Sequence, residues 1–427
     1  MMKYSNPVLV TAVVCTVIWV NAGSLTPPAG PVAPTMKTLV EVEPRIAINA
    51  TNTPGDVDSL FKITAPGSYY LTGNVSGGVG RMGIEVAATG GVTIDLMGYE
   101  LVGIAGTLDG IRVTVPLATF LTVRNGTVRT WAQDGVDALS AVTTTLEHVV
   151  VSGNTMIGIN LGPRSNVTEC ISHGNGDKGI VVGTNSIVAQ STASDNGGDG
   201  INAGLRSTVK GCVSNDNGSD GILAQNRSSV TDCSTTGNNN SGILVDIGDG
   251  TVTNCTANSN GDDGIFVSSG CTVTGCTAND NGGNGIDANG QSTISHCTVS
   301  GNTAEGIEAS AGSNVIGCTA SQNGQDGIHI AGNGSVINCT CDLNGTAVAT
   351  GAGVRAAGFG NRVDGNHATD NDIGIAATAI NNIIIRNTVG GNTTEFDVPT
   401  SAIGQVLDVT AGGDITTTNP WRNFIIK

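Results

Sequence analysis

A unit of about 21 residues repeats along most of this 427-residue chain, and this repeat limits the possible folds more than any other feature. Each unit contains a Gly followed by Ile or Val, called here the repeat Gly. A spacing this constant indicates a solenoid, in which each unit forms one coil and packs only on its two neighbours. The repeat glycines are Gly83, Gly110, Gly135, Gly158, Gly179, Gly200, Gly221, Gly242, Gly264, Gly285, Gly306, Gly327, Gly353 and Gly374.

The residue pattern inside each unit predicts three short strands. One unit reads CTASQNGQDGI over residues 318–328, where runs of alternating residues are separated by Gly, Asn and Asp. Alternation is typical of strands, and Gly and Asn suit the tight corners between them. We therefore predict an all-β solenoid of about 21 residues per coil and 13 to 14 coils, with Ile, Val, Ala and Cys pointing inward.

Two further residue types recur in register with the repeat. We expect the Asn side chains to occupy a turn and to bond to each other and to the backbone along the stack. The cysteines fit either disulfides between coils or buried thiols packed as small hydrophobic groups, and we favour the thiols. The Asn positions are Asn154, Asn175, Asn196, Asn217, Asn238, Asn260, Asn281, Asn302, Asn323 and Asn344, and the Cys positions are Cys170, Cys212, Cys233, Cys255, Cys276, Cys297, Cys318 and Cys339.

The repeated N-G-x-D-G-I run, the Asn positions and the inward Ile positions resemble the right-handed parallel β-helix proteins of the pectate-lyase-like superfamily. The resemblance covers roughly Gly83 to Asn392, and the layout is also similar to secreted bacterial β-helix proteins of unassigned activity. It implies a single-stranded right-handed parallel β-helix and a polysaccharide ligand or substrate. It implies no single activity, because lyases, hydrolases, epimerases and phage tail spikes share this fold.

The chain divides into four predicted segments. Residues 1–22 are predicted to be a signal peptide, because Lys3 precedes an apolar stretch and Val20-Asn21-Ala22 has the small-residue spacing of a cleavage site. Residues 23–58 form a predicted N-terminal lead-in, 59–392 the β-helix and 393–427 a C-terminal cap. We expect a secreted, extracellular or periplasmic protein with no membrane span after cleavage.

The charge balance limits the partners. The chain has 18 Lys and Arg against 35 Asp and Glu, a net charge of −17, and this argues against binding of nucleic acid. We expect a monomer whose partner is a polysaccharide or a cell-surface glycan. The alternatives are a non-catalytic structural or adhesive surface rod and, third, an ice-binding solenoid with stacked threonines such as Thr253 and Thr274.

One candidate site lies in the late coils. The residues that follow the repeat Ile or Val there are Asp287, Glu308, His329 and Arg355. Carboxylates in neighbouring coils approach the separation used by retaining glycosidases, and His can act as an acid or base. Asp287, Glu308 and His329 are therefore candidate catalytic residues, and Arg355 is a candidate substrate-binding residue. If the protein is an enzyme, we expect a polysaccharide lyase or a glycoside hydrolase; a solvated polar face is the alternative.

A second candidate site lies in the early coils, where the same position is filled by Glu85, Arg112, Asp137 and Asn160. Asp134 precedes a repeat Gly, and Trp131 is near in sequence. Arg112, Trp131, Asp134 and Asp137 are therefore candidate substrate-binding residues, since an aromatic ring can stack on a sugar. The alternative is a ladder of ion pairs that only stabilises the fold.

Calcium is the only cofactor that the sequence suggests. Asp199, Asp220 and Asp263 precede repeat glycines, so carboxylates recur on one edge of the solenoid. Bound calcium would relieve repulsion between such carboxylates, and it prefers oxygen ligands. The alternative is that Asp is simply a favourable turn residue.

Overall fold

The computed structural model describes residues 44–115, 119–347, 350–398, 401–412, 415 and 417–427. Arg45–Lys427 forms one compact unit. The predicted signal peptide, residues 1–22, and most of the predicted lead-in lie outside the described residues. Within the described ranges the chain forms 48 strands and no helix.

The fold is a single-stranded right-handed parallel β-helix, which confirms the predicted fold class. A typical coil contributes one strand to a 16-stranded sheet, called sheet 1, and two strands to a 32-stranded sheet, called sheet 2. The strands of sheet 1 are Ser59–Ile63, Met82–Val86, Ile111–Val113, Val136–Ala138, Ile159–Leu161, Ile180–Val182, Ile201–Ala203, Ile222–Ala224, Ile243–Val245, Ile265–Val267, Ile286–Ala288, Ile307–Ala309, Ile328–Ile330, Ala352–Ala356, Ile373–Ala377 and Thr394–Asp397.

Sheet 2 contains two rows of strands, and Thr119–Arg129 and Thr143–Ser152 are long enough to belong to both rows. The first row contains Ile46–Ala47, Gly67–Tyr70, Gly90–Asp95, Asn166–Thr168, Ile187–Ala189, Thr208–Lys210, Ser229–Thr231, Thr251–Thr253, Thr272–Thr274, Thr293–Ser295, Asn314–Ile316, Ser335–Ile337, Arg362–Asp364, Ile383–Ile385 and Ala402–Ile403. The second row contains Val75–Ser76, Glu100–Val102, Ile171–His173, Thr192–Ser194, Val213–Asn215, Ser234–Thr236, Thr256–Asn258, Thr277–Asn279, Thr298–Ser300, Thr319–Ser321, Thr340–Asp342, His367–Thr369, Thr388–Gly390, Val406–Asp408 and Asn423–Ile426.

Because each coil contributes one strand to sheet 1, the 16 strands of this sheet correspond to 16 coils in the part of the chain that is described. The repeat glycines predicted 13 to 14 coils. The two additional strands are the first and the last, Ser59–Ile63 and Thr394–Asp397. Neither strand contains a Gly-Ile or Gly-Val pair, so the repeat glycines do not reveal these two coils at the ends of the solenoid.

The coils stack in a constant register. In each strand of sheet 1 the side chain after the repeat Ile or Val points away from the interior, and in Ile265–Val267 both flanking residues are fully buried while Phe266 is half-buried. We call this series the outer column. Its members are Lys62, Glu85, Arg112, Asp137, Asn160, Val181, Asn202, Leu223, Leu244, Phe266, Asp287, Glu308, His329, Arg355, Ala376 and Asp397.

The interior is filled by stacked Ile, Val, Ala and Cys side chains, which form one continuous hydrophobic core. All ten described cysteines are buried and free, as expected for thiols that pack as small hydrophobic groups. Because each inward side chain lies on its counterpart in the next coil, the same few residue types can fill every layer.

The Asn side chains form the predicted ladder. Asn281 donates from Nδ2 to Asn302 Oδ1 at 2.9 Å and to the Ala257 carbonyl oxygen at 3.0 Å. The same Asn302 Oδ1 accepts the backbone N–H of Asn281 at 3.0 Å. These bonds satisfy buried polar groups that would otherwise cost about 1–3 kcal/mol each, so the ladder stabilises every corner that it occupies.

The second corner of a coil is made by one residue with positive φ between the two rows of sheet 2. Asn254 has φ 53° and Gly275, one coil later, has φ 66°. A single left-handed residue turns the chain without a loop, and Gly, Asn and Asp tolerate this conformation best. This corner explains why the repeat is rich in these residues.

Candidate functional site

The late-coil candidates lie next to one another on the outer surface of sheet 1. Asp287 pairs with Glu308, Glu308 with His329 and His329 with Arg355 in successive strands. This confirms the adjacency that the sequence predicted, while the catalytic roles of these residues remain a prediction. Adjacent strands are about 4.8 Å apart, so each side chain is within reach of the next.

A cavity of ≈ 290 Å³ lies at the Arg355 end of this series. Thr350, which lines it, lies between the repeat glycines Gly327 and Gly353, whose interval is longer than a standard coil. The residues that line the cavity are Glu305, Gln325, Asp326, His329, Thr350 and Arg355. Together with Asp287 and Glu308 we call these residues the late-coil site.

Arg355 is held in place by Asp326. Its Nε donates to Asp326 Oδ2 at 2.6 Å and its Nη2 donates to Asp326 Oδ1 at 3.0 Å, a bidentate pair. Nη2 also donates to the Thr350 carbonyl oxygen at 2.5 Å. The guanidinium is therefore oriented at the cavity wall, and much of its charge is balanced by one buried carboxylate.

Asp287 is different, because no hydrogen bond from any described residue reaches its carboxyl group. Burial, followed by repulsion from Asp263 and Glu308, raises the pKa of Asp287 to about 7. Glu308 accepts a hydrogen bond from Asn284 Nδ2 at 3.1 Å. The site thus contains a carboxyl group that holds its proton near neutral pH beside a second carboxylate.

His329 lies between two further carboxylates. Its Nδ1 is 4.0 Å from Glu305 Oε1 and 3.7 Å from Asp326 Oδ2, and its side chain is 26% exposed. These three residues place possible ligand atoms within 4.8 Å of one another. The bidentate bond from Arg355 already occupies Asp326, so a cation here would have to compete with a guanidinium.

The early-coil cluster, formed by Asp109, Arg112, Asp134, Asp137 and Asn160, is more fully paired. Arg112 contacts Asp109 Oδ2 at 2.9 Å and Asp137 Oδ2 at 3.5 Å. Asn160 donates to Asp134 Oδ2 at 3.0 Å. Burial raises the pKa of all three carboxyl groups, and the adjacent polar groups partly offset this shift. The cluster has the geometry of an ion-pair ladder.

Trp131 is a core residue. Its side chain is fully buried and its Nε1 donates to the Leu101 carbonyl oxygen at 3.2 Å. The backbone N–H of Trp131 donates to Asn154 Oδ1, so Trp131 occupies the first position of the Asn ladder. The predicted stacking of Trp131 on a sugar is corrected accordingly, since no face of its ring reaches solvent.

The three calcium candidates bond mainly within the protein. Asp199 pairs with Lys178 Nζ at 2.8 Å, Asp220 accepts the Ser241 backbone N–H at 3.1 Å and Asp263 accepts the Asn284 backbone N–H at 2.7 Å. These bonds join one coil to the next, a role that the constant position of these residues before the repeat Gly indicates. Calcium binding at these residues remains a prediction.

Two of the calcium candidates, Asp220 and Asp263, have raised pKa values. Burial and the neighbouring Asp199 raise the pKa of Asp220 to about 6, and burial with repulsion from Asp262 does the same for Asp263. Three groups of described residues place ligand atoms within 4.8 Å of one another, and none of these groups includes Asp199, Asp220 or Asp263.

The stacked threonines lie on sheet 2. Thr251 and Thr253 are in register with Thr272 and Thr274 of the next coil. Their outward side chains form two parallel ranks, as predicted. Their suggested role in ice binding remains a prediction.

The sequence matches the family described as "Right handed beta helix region" over residues 110–250, 206–293 and 286–419. The chain belongs to the right-handed β-helix family. Among the described residues, no helix has the length and apolar character needed to cross a membrane.

Several solved structures are similar to this β-helix protein. The A-module of a mannuronan C-5 epimerase from Azotobacter vinelandii is 14% identical, with 79% of this chain and 91% of that chain covered and a TM-score of 0.33. A periplasmic alginate epimerase is 11% identical, with 79% and 77% covered and a TM-score of 0.41. The receptor-binding domain of the Siphovirus 9NA tailspike is 12% identical, with 90% and 80% covered and a TM-score of 0.37. No protein with a curated description matches the sequence.

Proposed function

We propose that this β-helix protein binds an extracellular polysaccharide on sheet 1 and hydrolyses it at the late-coil site. The observation that carries this proposal is the pairing of Asp287 with Glu308 in adjacent strands of sheet 1. One carboxyl group lacks a hydrogen-bond partner among the described residues, and the other is oriented by Asn284. Two such groups with different environments are the requirement for glycoside hydrolysis.

In this proposal Asp287 is the general acid. It donates its proton to the glycosidic oxygen as the bond from that oxygen to the anomeric carbon breaks. The Glu308 carboxylate forms a bond to the anomeric carbon, since the strand spacing of about 4.8 Å is close to the carboxyl separation of about 5–5.5 Å in retaining glycosidases. Water then replaces Glu308 and returns a proton to Asp287.

His329 and Arg355 are proposed to position the sugar on the cavity side of the acid pair. The Arg355 guanidinium is fixed by Asp326, so its remaining donor capacity has a defined direction. His329 is partly exposed and can donate or accept a hydrogen bond. Both residues would contact the sugar that lies next to the one attacked.

The test is the release of reducing ends from a panel of neutral and acidic polysaccharides by the protein, with calcium and with a chelator. Asp287→Asn and Glu308→Gln are expected to abolish the release. Asp397→Asn is the matched control, because Asp397 is an exposed member of the same column in the last strand of sheet 1. Full activity in both site variants would refute the proposed roles.

The second candidate function is a non-catalytic surface rod. The regular middle coils favour it, since there the Asn ladder continues without interruption from Asn175 to Asn344. We propose secretion and a monomeric state under either function. Absence of reducing-end release on every substrate, together with retained glycan binding, would favour the rod.

A further inference from the structure

Three apolar side chains occupy consecutive positions of the outer column. Leu223 pairs with Leu244, and Leu244 pairs with Phe266 in the next strand. Each is half-buried and points outward between fully buried neighbours. We call these three residues the apolar track.

The apolar track leads directly into the late-coil site. Phe266 pairs with Asp287, the first residue of the acid pair, so its ring lies one strand away from the carboxyl group. The outer column therefore changes within four coils from Leu244 and Phe266 to Asp287 and Glu308. An outward apolar residue is ordinary when it stands alone, whereas three in a row that end at a polar site indicate a ligand-binding surface.

The charge around the apolar track is negative. No Lys or Arg occurs between Arg227 and Arg355. Asp220 and Asp263 precede the repeat glycines of the coils that carry Leu223 and Phe266, and Glu305 precedes a later repeat Gly. Arg355, the cation at the far end, is already paired with Asp326. A polyanionic chain that lay along the track would meet unbalanced like charge, which costs binding free energy.

We propose that the apolar track and the acid pair together bind an uncharged polysaccharide, with the apolar face of one sugar ring stacked on Phe266. The proposal rests on the proposed function of the late-coil site and names its substrate class. Phe266 is a substrate-binding residue here, and Leu244 and Leu223 extend the contact to the sugars further along the chain. Stacking of a sugar on an aromatic face needs no positive charge, in agreement with the composition of these coils.

The binding experiment uses the full chain with Asp287→Asn, which removes the proposed proton donor and leaves the track intact. Soluble neutral β-glucan and galactomannan oligosaccharides are titrated against it, with oligogalacturonate as the polyanionic probe. We expect binding of at least one neutral probe that is insensitive to salt, and no binding of oligogalacturonate.

The matched variants separate stacking from folding. Phe266→Ala is expected to weaken binding of the neutral probe about tenfold, and Phe266→Tyr to restore it. Ile187→Ala, at an exposed apolar residue of sheet 2, is the control and should bind as the parent does. Thermal unfolding of each variant shows that the fold is retained.

Each other outcome overturns a specific part of the argument. Binding of oligogalacturonate alone would refute the uncharged-substrate assignment. Neutral binding that Phe266→Ala does not change would refute the role of the apolar track. Either result leaves the proposed function standing. Absence of binding to every polysaccharide would refute the proposed function itself. A change of oligomeric state in Phe266→Ala, measured by sedimentation, would assign the track to contact between two copies of the chain and overturn the inference.

Discussion

The early-coil cluster and the late-coil site are built on the same column of sheet 1, yet they differ in how charge is balanced. In the early coils Arg112 lies between Asp109 and Asp137, and Lys62 contacts Glu85 at 2.9 Å. In the late coils Arg355 is committed to Asp326, and Asp287 has no partner among the described residues. Alternating charge produces a ladder in the early coils, whereas in the late coils an excess of negative charge adds to the effect of burial in raising the pKa of Asp287.

This difference shows that the column position does not by itself determine the role of a residue. Asp137 and Asp287 have the same location in their coils, but Arg112 lies beside the first and Glu308 beside the second. Burial raises the pKa of both carboxyl groups; the neighbouring Arg112 partly offsets the rise at Asp137, whereas Asp263 and Glu308 add to it at Asp287.

The largest expected effect concerns catalysis. Asp287→Asn should lower the rate of reducing-end release by about 100-fold or more, because it removes the proposed general acid. Asp137→Asn, the equivalent change in the early coils, should lower the rate far less. If the early variant lost activity and the late variant kept it, the assignment of the two regions would have to be exchanged.

The next effect is the pH dependence of activity. The pKa of Asp287 is raised to about 7, so this group is protonated below that pH and loses its proton above it. The rate should therefore fall about tenfold per pH unit above 7, as the protonated fraction falls. A rate profile that stays flat between pH 7 and 9 would contradict the role of Asp287 as the acid.

A smaller effect is expected on stability in the early coils. Arg112→Ala removes the cation that balances Asp109 and Asp137, and Asp109 is buried. The free energy of unfolding should fall by about 1–2 kcal/mol at neutral pH, a value reduced for the partial exposure of Arg112. Urea unfolding of the variant and of Arg112→Lys measures this, and an unchanged midpoint would show that the ladder does not stabilise the fold.

The smallest expected effect is a gain in the free energy of unfolding, in contrast to the loss expected for Arg112→Ala. The folded-state pKa of Asp287 lies above its ordinary value of 3.8, so ionisation costs the folded protein stability. This cost is absent below pH 4, grows up to about pH 7 and is complete above it. Asp287→Asn should therefore unfold at higher denaturant concentration than the parent at pH 8, by on the order of 1 kcal/mol, and show no such gain at pH 4.

The constant repeat predicts the stacking well and the local exposure poorly. The column of Asp287, Glu308, His329 and Arg355 could be predicted because the repeat Gly fixes the register of each strand. The position of Trp131 could also have been found, since Trp131 precedes Asn154 by the same 23 residues that separate Gly135 from Gly158. Charged residues near Trp131 in the sequence favour a surface position, which is wrong because the Trp131 side chain is fully buried.

Other features could not be predicted from the pattern alone. The pairing of Arg355 with Asp326 depends on the turn before Ala352, whose length departs from the repeat. The place of the apolar track in the column follows from the repeat Gly, but how far its side chains are exposed could not be predicted. Sequence spacing gives the order of residues along a column, whereas charge balance depends on side-chain directions in three dimensions.

The Asn ladder has a consequence for how such a protein can change over generations. Each Asn donates to the equivalent Asn one coil later, so adjacent coils present the same joint to each other. Gain or loss of one complete unit in the middle would rebuild this joint without altering either end. The distance from Arg112 to Arg355 is therefore a length that can be adjusted in steps of about 4.8 Å, and a binding surface of this kind can be matched to longer or shorter ligands by changing the number of identical parts.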